Sequence, residues 1–126
     1  MQDRHLIGLG AFNMLIAVAA GAFGAHALKQ ILSVDMLAIW HTAVHYQMVH
    51  ALGLIATGVL MLRLDPVWMR RVGWAMLIGI LIFSGSLYAL ALTGIRILGA
   101  ITPIGGLAFL LAWAMLAWQA WTSGKS

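Results

Sequence analysis

The stretch WHTAVHYQMVH, Trp40 to His50, places three histidines and a glutamine inside a run, Met36 to Leu62, that contains no Asp, Glu, Lys or Arg. Imidazoles bind metals and carry protons, so these are the first residues to consider for chemistry. His41 and His45 stand four apart and share a helical face, whereas His50 lies about 140° round the helix from His45. A regular helix therefore cannot bring all three to one metal. A site on His41 and His45 would need His26 or Asp35 as well, and the pair lacks the glutamate and third ligand of a zinc-protease helix. His41 and His45 are retained as metal candidates only, with exposure to water and headgroups as their ordinary role, and no metal is assigned.

Other chemistries find less support. A haem between His50 and either His26 or His45 would join residues at mismatched depths. Ser84 or Ser86 with His50 would lack the aspartate that orients a hydrolase histidine. The chain has no glutamate, and Asp3, Asp35 and Asp65 belong to termini or loops, so no buried carboxylate pair is available for acid–base work. Cysteine is absent, which removes thiolate nucleophiles, thiolate metal sites and disulfides. Seven basic residues without a basic stripe make a poor nucleic-acid surface. The expectation is a protein that is not an enzyme, has no cofactor and does not bind nucleic acid.

The elements that must position these residues can be read from composition. Of 126 residues, 63% are hydrophobic and 8% charged, with a mean hydropathy of +1.01, far from the mix of a water-soluble domain. Runs free of Asp, Glu, Lys and Arg extend over His5–Leu28, Met36–Leu62, Val72–Ile95 and Ile97–Gly124, each long enough to cross roughly 30 Å of hydrocarbon. The first run is longer than the roughly 7–15 apolar residues of a secretory signal, so it reads as a span. The predicted fold is all-α: one integral membrane domain over residues 1–126, a bundle of four transmembrane helices at about 6–28, 40–62, 72–93 and 98–121.

Local signals refine this outline. Ala17, Gly21 and Ala25, with Ala20 and Gly24 beside them, predict a small-residue packing face on the first helix. LKQILSVDMLAIW predicts a short interfacial helix between the first two spans, with Ser33 and Asp35 as caps for the second span and Trp40 as an interface aromatic. Pro66 marks a tight turn before the third span, and Gly94 a left-handed cap at its end. For the fourth, Thr102 as N-cap with Pro103 in the first helical position is preferred to an earlier start near Leu98. Gly105 and Gly106 would then allow a close neighbour, and Trp113, Trp118 and Trp121 would approach an interface. Arg4, Arg63, Arg70, Arg71 and Lys125 fall on one side and Lys29 and Arg96 on the other, predicting both termini in the cytoplasm.

Projected onto one bilayer, His26, Gln47, Ser84, Ser86, Tyr88 and Thr102 gather in the outer half and His50 lies near the midplane, where an ionisable residue normally faces the bundle interior with a partner. A serine or tyrosine of the third span is the expected partner. The inner half offers Asn13 and Thr57 as its non-interfacial polar groups.

Four segments, GAFGAHALK (Gly21–Lys29), WHTAVHYQMVHALGL (Trp40–Leu54), FSGSLYALALTG (Phe83–Gly94) and GAITPIGGLAFLLAW (Gly99–Trp113), together resemble the YgdD/YwdK family of small bacterial inner-membrane proteins of unknown function. The resemblance covers nearly the whole chain. It implies four spans in the bacterial cytoplasmic membrane and no particular activity. It also implies His26, Gln47, His50, Ser84, Ser86, Tyr88, Thr102 and Pro103 as signature residues. The family pattern reads Gln where this chain has His45, which counts against a metal site there.

The functional expectation is a non-enzymatic ligand-binding, scaffold or accessory protein with a polar network in the outer half of the bundle, in contact with membrane lipids and assembled as a homo-oligomer or within a larger membrane complex. The alternative is an oligomeric proton-coupled carrier or conduit, with His50 as the titrating element. Polar groups continuing past His50 would favour transport; a groove closed on that side would favour binding.

Overall fold

In the computed structural model, which describes residues 1–123, every long element is a helix. Helix α1 covers Asp3–His26, where the Gln2 backbone N–H donates to His5 Nδ1 across the first turn. A three-residue 3-10 turn, Leu28–Gln30, comes next. Helix α2, Val34–Leu60, starts at Ser33, whose Oγ accepts the Met36 N–H at 3.2 Å. Asp65 caps α3, Pro66–Gly79, and Pro66 sits in the first turn, where its missing N–H costs nothing.

Helix α3 does not stop at Gly79. It passes through a π-helical segment, Ile80–Ser84, into α4, Gly85–Thr93, so one rod of 28 residues forms the third span. Gly94, at φ 72°, closes it in the left-handed conformation that glycine adopts without steric penalty. A 3-10 segment, Arg96–Ala100, leads to α5, Thr102–Thr122. Four helices are thus long and apolar enough to cross a membrane.

The short helix between the first two spans is present only as the Leu28–Gln30 turn. Val34–Ile39, expected within it, instead opens α2. The Ser33 cap explains this: it satisfies the Met36 N–H, and Asp35 in the first turn complements the helix dipole, so the helix begins there. Thr102 begins α5 as expected, but as a helical residue: Ile101 holds the cap position, and the Thr102 hydroxyl turns to α4.

Contacts run α1 to α2, α2 to the α3–π–α4 rod, and the rod to α5. In the most apolar 18-residue stretch of each central span half of the residues are buried, against 22% in the first span and 17% in the fourth, so α1 and α5 are the more exposed flanks. In lipid there is little hydrophobic drive to associate, and close approach of backbones does the holding. On α1 the approach uses Gly10, Asn13, Ala17 and Gly24, all buried. A side chain at Gly10 would strike the Ala51 carbonyl, and one at Gly24 the Trp40 ring. Ala25, assigned to the packing line by its spacing, is exposed. At the other flank, Gly105 of α5 lies directly on the Phe83 backbone, while Gly106 has ordinary clearance.

Arg4, Arg63, Arg70 and Arg71 lie at the end of the bundle that holds the α2–α3 turn, and Lys29 and Arg96 at the other. Lys125 lies outside the described residues.

Trp40 is packed inside the bundle. It is 7% exposed, its indole N–H donates to the Ala20 carbonyl at 2.9 Å, and its ring meets Tyr88 edge-on.

Candidate functional site: two polar clusters beside two lateral grooves

Because α1 packs on α2 and α5 on the rod, two grooves remain. One lies between α1 and the rod, with a volume of about 340 Å³; the other lies between α2 and α5, at about 690 Å³. Each has a polar cluster at its base.

The first cluster joins three helices. Tyr88 of α4 donates to Gln47 Oε1 at 2.7 Å, Gln47 Nε2 of α2 donates to Asn13 Oδ1 at 3.2 Å, and Asn13 Nδ2 of α1 donates to the Leu9 carbonyl at 2.9 Å. The direction of this chain is fixed from one end. A carbonyl only accepts, so the Asn13 nitrogen must face Leu9; its oxygen then faces Gln47, which must present nitrogen, leaving the Gln47 oxygen for the phenol. Gln47 is the central residue of α2, so the cluster sits at mid-helix.

The second cluster is built on His50, 3% exposed. Its Nδ1–H donates to the Tyr46 carbonyl at 2.8 Å, one turn back on α2, and its Nε2 accepts the indole N–H of Trp113 on α5 at 2.9 Å. Those partners define the neutral Nδ1–H tautomer, because the carbonyl can only accept and the indole can only donate. Phe109 lies flat against the imidazole, with centroids 3.5 Å apart and planes 9° from parallel. Tyr46 and Phe83 extend the aromatic wall. His50 therefore pairs with a tryptophan of the fourth span, not with a serine or tyrosine of the third.

The remaining sequence candidates fall into separate places. Ser84 Oγ donates to the Ala43 carbonyl at 2.8 Å, holding the π segment to α2. The hydroxyls of Ser86 and Thr102 bond to each other and tie α4 to the start of α5. Pro103 is exposed and lines the larger groove. His26 is exposed at the end of α1 and joins neither cluster. His41 and His45 are exposed too, and among the described residues no three His, Cys, Asp or Glu side chains gather as a metal site would require. Of the eight signature residues, Gln47, Tyr88 and His50 belong to the two clusters, Ser84, Ser86 and Thr102 make local ties, and Pro103 and His26 do neither; they do not form one network.

Sequence reasoning misses two members of the clusters. Counting depth along the helices puts Asn13 in the other half of the bilayer, although its polarity among Gly10, Ala17 and Gly24 on one face is an available signal. Trp113 reads as an interface ring; its spacing of four from Phe109, which puts both on one face of α5, is the signal that could link it to an interior histidine.

Residues 20–106 match the family model described as a protein of unknown function, DUF423. The chain is 53% identical over 113 residues to a UPF0382 membrane protein of Staphylococcus saprophyticus, covering 90% of this chain and 93% of the relative. It is 50% identical over 114 residues to the UPF0382 membrane protein YwdK of Bacillus subtilis, with the same shares of each chain. A UPF0382 membrane protein of Staphylococcus haemolyticus is 52% identical over 113 residues, covering 90% of this chain and 92% of that one. No solved structure matches the chain. With the four apolar helices and these relatives in view, the chain belongs to the DUF423 family, the multi-pass membrane proteins that include YwdK.

Proposed function

We propose that this protein is a non-catalytic, membrane-embedded binding protein that holds an amphipathic, lipid-like ligand in the groove between α2 and α5. The observation that carries this reading is the groove itself. It has about 690 Å³ of space, walls formed by Tyr46, Phe83, Phe109 and Trp113, and one polar pair, His50 with Trp113, at its base. Apolar walls with few polar groups are the usual make-up of a small-molecule site.

The course of the buried polar groups supports binding over transport. Past His50 toward the α2–α3 turn, the buried polar side chain of α2 is Thr57, whose hydroxyl donates to its own helix at the Gly53 carbonyl, 2.7 Å away, with Met76 sulfur as its other neighbour. A hydrophilic route needs groups that are not already turned back on their helix. The Lys and Arg distribution supports a cytoplasmic-membrane location with both termini inside. The exposed apolar flanks of α1 and α5 support contact with lipids and self-association.

Native mass spectrometry of gently solubilised protein, wild type beside His50→Ala, tests the reading by scoring retained lipid and subunit number. Retention of a lipid-like species by the wild type and its loss in the variant is expected. A wild-type particle that carries nothing, or a variant that retains the same species equally, would overturn the assignment.

A further inference from the structure

The groove on the α1 side carries a different kind of capacity. At its base are Asn13 and Gln47, 7% and 4% exposed, both lining the groove. A primary amide has two N–H donors. Asn13 Nδ2 spends one on the Leu9 carbonyl and Gln47 Nε2 spends one on Asn13 Oδ1; neither nitrogen donates to any other group among the described residues. Each amide therefore keeps one N–H with no partner among those residues, at a depth in the bundle where water is scarce. The nearby hydroxyls of Ser84 and Tyr88 donate to the Ala43 carbonyl and Gln47 Oε1, and among the described residues neither accepts a hydrogen from these amides.

The rest of the lining fixes the class of ligand. Phe12, Ile16 and Leu77 are apolar, and among the described residues no Lys, Arg, His, Asp or Glu lines the groove, so neither an anion nor a cation would find a countercharge. Two donors and no charge call for a neutral acceptor. We propose that this second groove binds an uncharged, lipid-soluble molecule through a carbonyl oxygen, which accepts the free N–H groups of Asn13 and Gln47. The carbonyl can come from a quinone ring or from the ester of a neutral glycerolipid. The site is separate from the His50 groove and stands or falls independently of it.

Asn13 is the sole asparagine of the chain, so selective 15N labelling gives its side-chain amide as a single pair of NMR signals. The full-length protein in micelles would be titrated with menadione, dioctanoylglycerol and 2-methylnaphthalene; the last has menadione's ring system without the carbonyls. With no cysteine in the chain, menadione has no thiol to alkylate. A saturable shift of the Asn13 amide with menadione and not with 2-methylnaphthalene is expected, and it would name the quinone ring as the source. A shift with dioctanoylglycerol alone would support the proposal with an ester as the source. Silence toward both carbonyl probes, or an equal response to the hydrocarbon, would overturn it. Gln47→Leu should abolish the response, and if that variant does not fold the wild-type titration decides alone.

Discussion

The two clusters lie on the same pair of central elements, yet they use their hydrogen-bonding capacity in opposite ways. Around His50 both ring nitrogens are taken, one by the Tyr46 carbonyl and one by Trp113, and Phe109 covers a face of the ring. Around Gln47 the bonds run in one direction from Tyr88 through Gln47 and Asn13 to Leu9, and each amide keeps a donor in reserve. Residue type accounts for the difference. A neutral imidazole has one donor and one acceptor and two partners saturate it, whereas a carboxamide has two donors and an acceptor with two lone pairs, so a single chain of bonds leaves it unsaturated. The larger groove is accordingly suited to contact and shape, and the smaller one to a directed hydrogen bond.

The comparison can be broken from either side. The largest effect is expected from Gly105→Val, which would drive α5 off the Phe83 backbone and open the His50 groove while leaving the α1 side untouched. Overpacking of this kind costs about 1–3 kcal/mol, and here the obstacle is backbone that cannot rotate away. A melting temperature in micelles equal to wild type would show that the contact between α5 and the π segment is looser than described.

Gln47→Leu comes next. It strands Asn13 Oδ1 and the Tyr88 hydroxyl together, at about 1–2 kcal/mol for two lost bonds in a membrane interior. Unfolding by SDS titration should register that loss, and a stability within error of wild type would mean the three-helix chain contributes nothing. Trp113→Phe sharpens the other side: it keeps a ring and removes only the donor to His50, for about 0.6 kcal/mol. Its diagnostic is the 15N signal of His50 Nε2, expected to move because the nitrogen loses its indole partner; an unmoved signal would argue against the pair. Least of all is expected from His45→Gln. His45 is exposed at the rim, so stability should stay within about 0.5 kcal/mol, and a larger loss would give this histidine a role in the groove.

Much of the architecture is legible because composition separates spans from turns so sharply here. Pro66 and Gly94 each announce their turn by a specific backbone requirement, and both are used as read. The site is legible in part: Gln47 and His50 are buried as polar residues in an apolar helix should be. Their partners are not, because a partner depends on which flank packs where. Counting residues from assumed helix ends places Asn13 a half-bilayer away from Gln47, and starting α2 at Trp40 displaces its centre from Gln47. The misplacement of Trp113 has a different cause. Tryptophan's preference for interfaces is a statistical tendency, and a buried acceptor of the right geometry overrides it. His26, close in sequence to the small-residue face of α1, ends outside because its helix stops there.

The π segment of the third span changes how the sequence of that span should be read. Between Ile80 and Ser84 the Gly85 N–H reaches back five residues to the Ile80 carbonyl, so the chain spends an additional residue on that turn without advancing its face in step. A helical wheel drawn straight through from Pro66 therefore falls out of frame by about 100° beyond Ser84. Tyr88 meets Gln47 and Ser86 meets Thr102 only in the shifted frame. The wide turn works as a built-in frameshift. Removing one residue from within it would restore an even helix and keep both halves of the span in phase, whereas removing one residue from α3 or α4 would swing every side chain beyond the deletion onto the wrong neighbour.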